Sequence, residues 1–132
     1  MTAQAQDIRH WQSIAFRDVE AMSTWLQAIG FREHALHRDE TDPSVVVHGE
    51  WVWDGGAGVM GGTHRGEGST ITPPGQAACY LVTPDPDALF ERAVAAGATV
   101  DRPMVDQPYG GRGGSVRDPE GNHWSFGDYQ PA

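Results

Sequence analysis

Residues 13–31 read SIAFRDVEAMSTWLQAIGF, and residues 79–100 read CYLVTPDPDALFERAVAAGATV. Each runs from an apolar stretch to an aspartate, through a helical pattern to a glycine, and on to a second apolar stretch. Asp18 and Gly30 are twelve residues apart, as are Asp85 and Gly97. An aspartate side chain accepts hydrogen bonds from the unpaired amides that open a helix. A glycine closes the helix in a left-handed conformation that a Cβ makes costly. Between them Val19, Met22, Leu26 and Ile29 recur at helical spacing, as do Leu89, Ala93 and Ala96. The two segments predict strand–helix–strand units of matched length.

The halves also end alike. Residues 45–62, VVVHGEWVWDGGAGVMGG, predict a strand, the turn DGGAG and a short strand. Residues 113–126, GGSVRDPEGNHWSF, predict a strand, the turn DPEGN and a strand, with Pro119 and Gly121 supplying the turn chemistry. The pattern is a repeat: one βαβββ unit over about residues 8–62 and another over about 76–128. Between them THRGEGSTITPPG, residues 63–75, is a linker by composition. HRDETDPS, residues 37–44, is a polar hairpin connection.

The whole chain of 132 residues is read as a single domain, long enough to bury a core. Its 39% hydrophobic content and five tryptophans exclude a disordered chain. The formal net charge is −9, and all nine basic residues are arginines. That balance argues against nucleic acid, which needs clustered positive charge, and suits a cationic ligand. The polar N-terminus MTAQAQDIRHW and the lack of a long apolar run predict no signal peptide and no contact with a membrane. A lone cysteine, Cys79, allows no internal disulfide and fits a cytoplasmic protein. Its setting in AACYLV predicts a buried, inert thiol.

Two tandem βαβββ units, the second closing on DPEGNHWSF, resemble the vicinal oxygen chelate superfamily. Its members include glyoxalase I, extradiol dioxygenases, and fosfomycin- and bleomycin-resistance proteins. The likeness covers nearly the whole chain and is most specific in FRDVEAMSTWLQAIGF, DPDALFERAVAAGA and YGGRGGSVRDPEGNHWSFGDY. It is closest to small, single-module bacterial proteins of the glyoxalase or bleomycin-resistance type. The resemblance implies an α+β fold in which each unit contributes a curved mixed sheet. It also implies a cup around a small-molecule ligand, completed by pairing of two chains as a homodimer.

The resemblance further implies four places where catalytic members hold a divalent metal. The first-strand histidine, seven residues before Asp18, falls on Trp11, and its counterpart in the second half falls near Tyr80. The closing-strand glutamate, three residues after Asn122, falls on Ser125, and the remaining ligand falls around Met60 to Gly62. None offers a carboxylate or an imidazole, so no metal or other cofactor is expected, and glyoxalase-like activity is not. On VVVHGEWVW, residues 45–53, His48 and Glu50 share a strand face. They are the candidates for catalysis, as an acid/base pair or as ligands of a metal held in an unfamiliar way. His34, His37 and His64 are expected to be solvated.

YGGRGG, residues 109–114, sets four glycines around Arg112 beside the ring of Tyr109, and reads as a ligand gate. The competing reading is a flexible connection with Arg112 paired to Asp118 or Glu120. In the closing strand Trp124 and Phe126 share the inward parity, leaving His123 and Ser125 to face the cup. Trp11, Tyr80 and Trp51 predict a flat aromatic lining. The expected ligand-binding set is Trp11, His48, Glu50, Tyr80, Tyr109, Arg112, His123 and Ser125. Together these features predict a metal-independent protein that sequesters a hydrophobic or cationic small molecule. A lyase or isomerase of the same superfamily and an accessory interaction subunit stand as alternatives.

Overall fold

The structure, a computed structural model, describes residues 2–66 and 71–131; residues 67–70 of the expected linker lie outside the described residues. Strand β1 (Trp11–Ser13) leads to helix α1 (Val19–Ala28), followed by β2 (Phe31–Arg38), β3 (Val46–Trp53) and β4 (Ala57–Gly61). The second half repeats the order: β5 (Ala78–Val82), α2 (Pro86–Ala95), β6 (Thr99–Asp106), β7 (Arg112–Arg117) and β8 (His123–Gly127). Each half builds its own four-stranded sheet, in the orders β1-β4-β3-β2 and β5-β8-β7-β6. Within each sheet the first and last strands pair in parallel and the other pairs are antiparallel.

The helix boundaries follow from the residues that predicted them. The Asp18 carboxylate accepts from the Ala21 N–H at 3.0 Å, and Asp85 accepts from the Ala88 N–H at 3.1 Å. Pro86 opens α2, where its missing N–H costs nothing. Gly30 and Gly97 follow the two helices with φ of +103° and +118°, a conformation a Cβ would strain.

One core serves both halves. Trp25, Trp51 and Trp124 are each at most 1% exposed. The Trp25 and Trp124 rings meet across the two units with centroids 5.4 Å apart, and Phe31 stands edge-on to Trp124 at 5.9 Å. Every one of these buried indoles has a partner for its N–H: the Ala93 carbonyl for Trp25, Ser23 Oγ for Trp51 and Asp118 Oδ2 for Trp124. Trp51 therefore does not line a ligand hollow. It sits at the helix-facing parity of β3, paired with Glu33 and Val59, and its ring fills the space under α1.

The turn DPEGN joins the halves. Asp118, 4% exposed, accepts from the Glu120 and Asn122 N–H groups, from Asn122 Nδ2 and from the Trp124 indole. This locks the turn and frees the Glu120 side chain to cross to the first unit. Its carboxylate accepts from the backbone N–H of Arg17 at 2.8 Å and of Asp18 at 2.7 Å, just ahead of α1. A negative charge there also complements the positive end of that helix.

Candidate functional site

Residues paired across neighbouring strands project to the same side of a sheet. With Trp51, Val59, Leu81, Trp124 and Phe126 turned inward, the partners of opposite parity form each sheet's outer face.

On the first sheet one row runs Trp11, Gly58, Val52 and the next runs Ser13, Met60, Glu50. The Trp11 ring lies across Gly58, where an added Cβ would come within 2.5 Å of it. His48 Nε2 is 2.8 Å from Glu50 Oε2, and His34 Nε2 is 3.9 Å from the other carboxylate oxygen. The His37 ring stacks on His48 with centroids 6.2 Å apart. The sequence reading gave these last two neighbours, His34 and His37, no role. The register that pairs Arg32 with Val52 and Glu33 with Trp51 brings His34 level with Glu50, and the shift just beyond it hands the direct pairing to Ala35.

The second sheet carries the larger hollow, about 530 Å³, against about 290 Å³ beside His48 and about 250 Å³ between the β1 and β5 edges. Its floor is polar. Asp101 Oδ2 accepts from Ser115 Oγ at 3.0 Å and lies 3.3 Å from His123 Nε2, while Arg117 Nε stands 3.8 Å from Oδ1. Ser115 pairs directly with Ser125, and Ser125 with Tyr80. Its rim is aromatic. Tyr80 donates its hydroxyl to the Tyr129 carbonyl at 3.0 Å, and the Tyr109 and Tyr129 rings meet edge-on at 5.1 Å. Partial burial, with the neighbouring Tyr109 and Asp128, raises the Tyr80 phenol above its ordinary value and keeps it a neutral donor.

Asp101 and Arg102 were not singled out from the sequence, although both line this hollow. In a regular strand consecutive residues face opposite sides. Here the register of β6 shifts on either side of Arg102, next to Pro103, so that both reach the outer face. The proline inside the strand pattern was the available signal.

Arg112 lines the hollow, but its ion-pair partners are not Asp118 or Glu120. Its guanidinium reaches α2. There it binds Asp87 on α2 at 2.9 Å, Asp106 at 3.3 Å and the Met104 carbonyl. Asp118 and Glu120, its expected partners, are occupied in the DPEGN turn. Gly110 and Gly111, with φ of +114° and +75°, make the sharp reversal that lets β7 begin at this arginine.

Tyr80, Tyr109, Arg112, His123 and Ser125 thus share one hollow, while Trp11, His48 and Glu50 lie on the outer face of the other sheet. None of the three hollows gathers Trp11, His48, Tyr80 and Ser125 together. Indole, thioether, phenol and hydroxyl at Trp11, Met60, Tyr80 and Ser125 do not fit a divalent ion that wants carboxylate and imidazole. Among the described residues no group of three or more His, Cys, Asp or Glu side chains is placed to hold a metal ion. Cys79 faces inward beside Trp124, and burial together with Asp118 pushes its thiol up to about 12.

With the doubled sheet order and the two outer faces described, comparison with known proteins decides the family. A sequence model described as the Glyoxalase/Bleomycin resistance protein/Dioxygenase superfamily matches residues 8–126. The chain belongs to this superfamily. Among solved structures it resembles TioX from Micromonospora sp. ML1, at 28% identity and a TM-score of 0.68 over 91% of this chain and 97% of that one. A glyoxalase/bleomycin resistance protein from Streptomyces sp. CB03234 shares the fold at 23% identity, with a TM-score of 0.64 over 88% and 96% of the two chains. The uncharacterized protein Rv0887c of Mycobacterium tuberculosis is 52% identical over 48 residues, which are 36% of this chain and 28% of that protein. The uncharacterized protein Mb0911c of Mycobacterium bovis matches over the same length, 32% of its own. This chain therefore spans about a third or less of the mycobacterial relatives it matches. No helix of the described residues is long and apolar enough to cross a membrane.

Proposed function

We propose that this superfamily member is a metal-independent small-molecule binding protein whose ligand occupies the hollow of the second sheet. The observation that carries the reading is the hollow itself. About 530 Å³ is enough for a compact organic molecule, and it is ringed by Tyr80, Tyr109 and Tyr129 over a floor of hydroxyls and charges. Flat amphipathic rings grip a planar hydrophobic body at little entropic cost. Two such chains pair, a second copy roofing each hollow.

Titration of the purified protein with naphthalene-2-carboxamide, followed by intrinsic fluorescence and by calorimetry, tests the reading. Saturable binding is expected, weakened about five- to tenfold by Tyr109→Ala, the loss of one aromatic contact. A flat response to this and other planar aromatics up to millimolar concentration would remove it. Light scattering that returned a monomer would remove the pairing.

A second reading draws on the 2.8 Å contact between His48 and Glu50. Such a dyad serves general acid/base catalysis in a lyase or isomerase of this superfamily. It predicts turnover that His48→Gln abolishes without weakening aromatic binding on the second sheet.

A further inference from the structure

The acidity of the chain points to a cationic ligand, but the charge inside the second hollow has the opposite sign. Most arginines are used structurally: Arg17 donates to the Glu120 and Pro74 carbonyls, Arg32 pairs with Asp54, Arg38 with Glu20 and Arg112 with Asp87 and Asp106. Arg102 differs. It lines the hollow, and among the described residues its side chain makes no ion pair and no hydrogen bond. The negative charge of Asp101 is already engaged by Ser115, His123 and Arg117. The floor therefore holds two guanidinium groups against one carboxylate. The remaining acids nearby stand elsewhere: Asp87 and Asp106 bind Arg112, and Asp128, at the tyrosine end, accepts from the Arg112 N–H.

Charge and rings also lie at different ends. Arg117 pairs with His123 and Arg102 with Ser115, whereas Tyr80 reaches over Gly127, which pairs with Gly113. From residue 117 to residue 113 is four strand steps, roughly 13 Å. A ligand filling that length meets phenol rings at one end, Arg102 and the serine hydroxyls midway and Arg117 at the other.

We propose that the ligand of this site is a planar aromatic compound carrying a carboxylate or similar anionic group. Its rings pack among Tyr80, Tyr109 and Tyr129, and its anion is bound by Arg102, supported by Arg117 and Ser115. This rests on the binding reading above and adds the sign of the charge. An arginine without a carboxylate of its own can give a charge-assisted bond to an incoming anion without first breaking an internal pair.

Calorimetry with three probes of one ring system separates the possibilities: naphthalene-2-carboxylate, naphthalene-2-carboxamide and 2-naphthylmethylammonium. The carboxylate is expected to bind at least about tenfold more tightly than the amide, and the ammonium more weakly than both. Arg102→Gln, a change on an exposed strand position, should bring the carboxylate down to the amide's affinity and leave the amide unchanged. Raising salt from about 50 to 500 mM should weaken the carboxylate alone. Equal affinities, a preference for the ammonium, or a carboxylate preference that survives Arg102→Gln and Arg117→Gln together would overturn the anionic assignment while the binding reading stood. Failure of all three probes to bind would bring down both.

Discussion

The two halves of this chain share a sheet order, a helix cap and a closing turn, yet they spend these on different ends. The first unit's turn, Asp54 to Gly58, is largely exposed, and the Asp54 carboxylate binds only Arg32 and the Ala3 N–H among the described residues. The second unit's turn buries Asp118 and Asn122 and sends Glu120 across the junction. The outer faces diverge as far. One sets His34 and His48 beside Glu50, with His37 stacked on His48; the other sets arginines and serines beneath three tyrosines. A repeat of this kind is constrained at its inward positions, where two sheets must share one core. Turns and outer faces are free to differ, and there the chemistry has separated.

The turns give the largest expected contrast. Asp118→Ala leaves four donors near the core without their acceptor, and should cost about 3 kcal/mol in urea or thermal unfolding. Asp54→Ala, at an exposed pair, should cost less than about 1 kcal/mol. Equal losses would show that the two turns do the same work.

The outer faces give a middle-sized contrast. Tyr80 leans over Gly127 as Trp11 leans over Gly58, and a Cβ at either glycine would fall within 2.5 Å of the ring system. Gly127→Ala and Gly58→Ala should each cost about 1–3 kcal/mol through overpacking. They should part company in binding: Gly127→Ala swings Tyr80 away and weakens aromatic ligands, while Gly58→Ala leaves them alone. The reverse pattern would move the binding site to the first sheet.

Cys79 gives the smallest. The folded chain holds its thiol protonated up to about 12, whereas the unfolded thiol ionises near 9.0. Since the unfolded state loses its proton first, stability from this group falls as pH rises from about 9 toward 12. Wild-type protein should lose urea resistance over that window more steeply than Cys79→Ala. At pH 8 its labelling by a disulfide reagent should be on the order of a hundredfold slower than in denaturant. Rapid labelling of the native chain would show that the inner edge of the second sheet is open.

Much of this organisation was legible in one dimension. Asp18, Gly30, Asp85 and Gly97 act where their chemistry requires, because helix ends are made of local hydrogen bonds and local dihedral angles. Trp124 and Phe126 turn inward and His123 and Ser125 outward, because strand parity is also local. Trp51, Arg112, Asp101 and His34 were not legible. Trp51 faces α1, where Ser23 accepts from its indole, and the Arg112 guanidinium is held by Asp87 of α2 at the border of the hollow. His34 and Asp101 meet Glu50 and Ser115 only once β2 pairs with β3 and β6 with β7, and a register shift then sets Arg102 beside Asp101 on the same face.

The sequence by itself determined a doubled βαβββ chain, its helix ends and most of its inward residues. The tertiary structure alone decided which half carries the larger hollow and which arginine stands in it unpaired. The physical reason is range. Caps and parity are fixed within a few residues, whereas an ion pair or a bulge depends on which side chains a distant segment brings within about 4 Å.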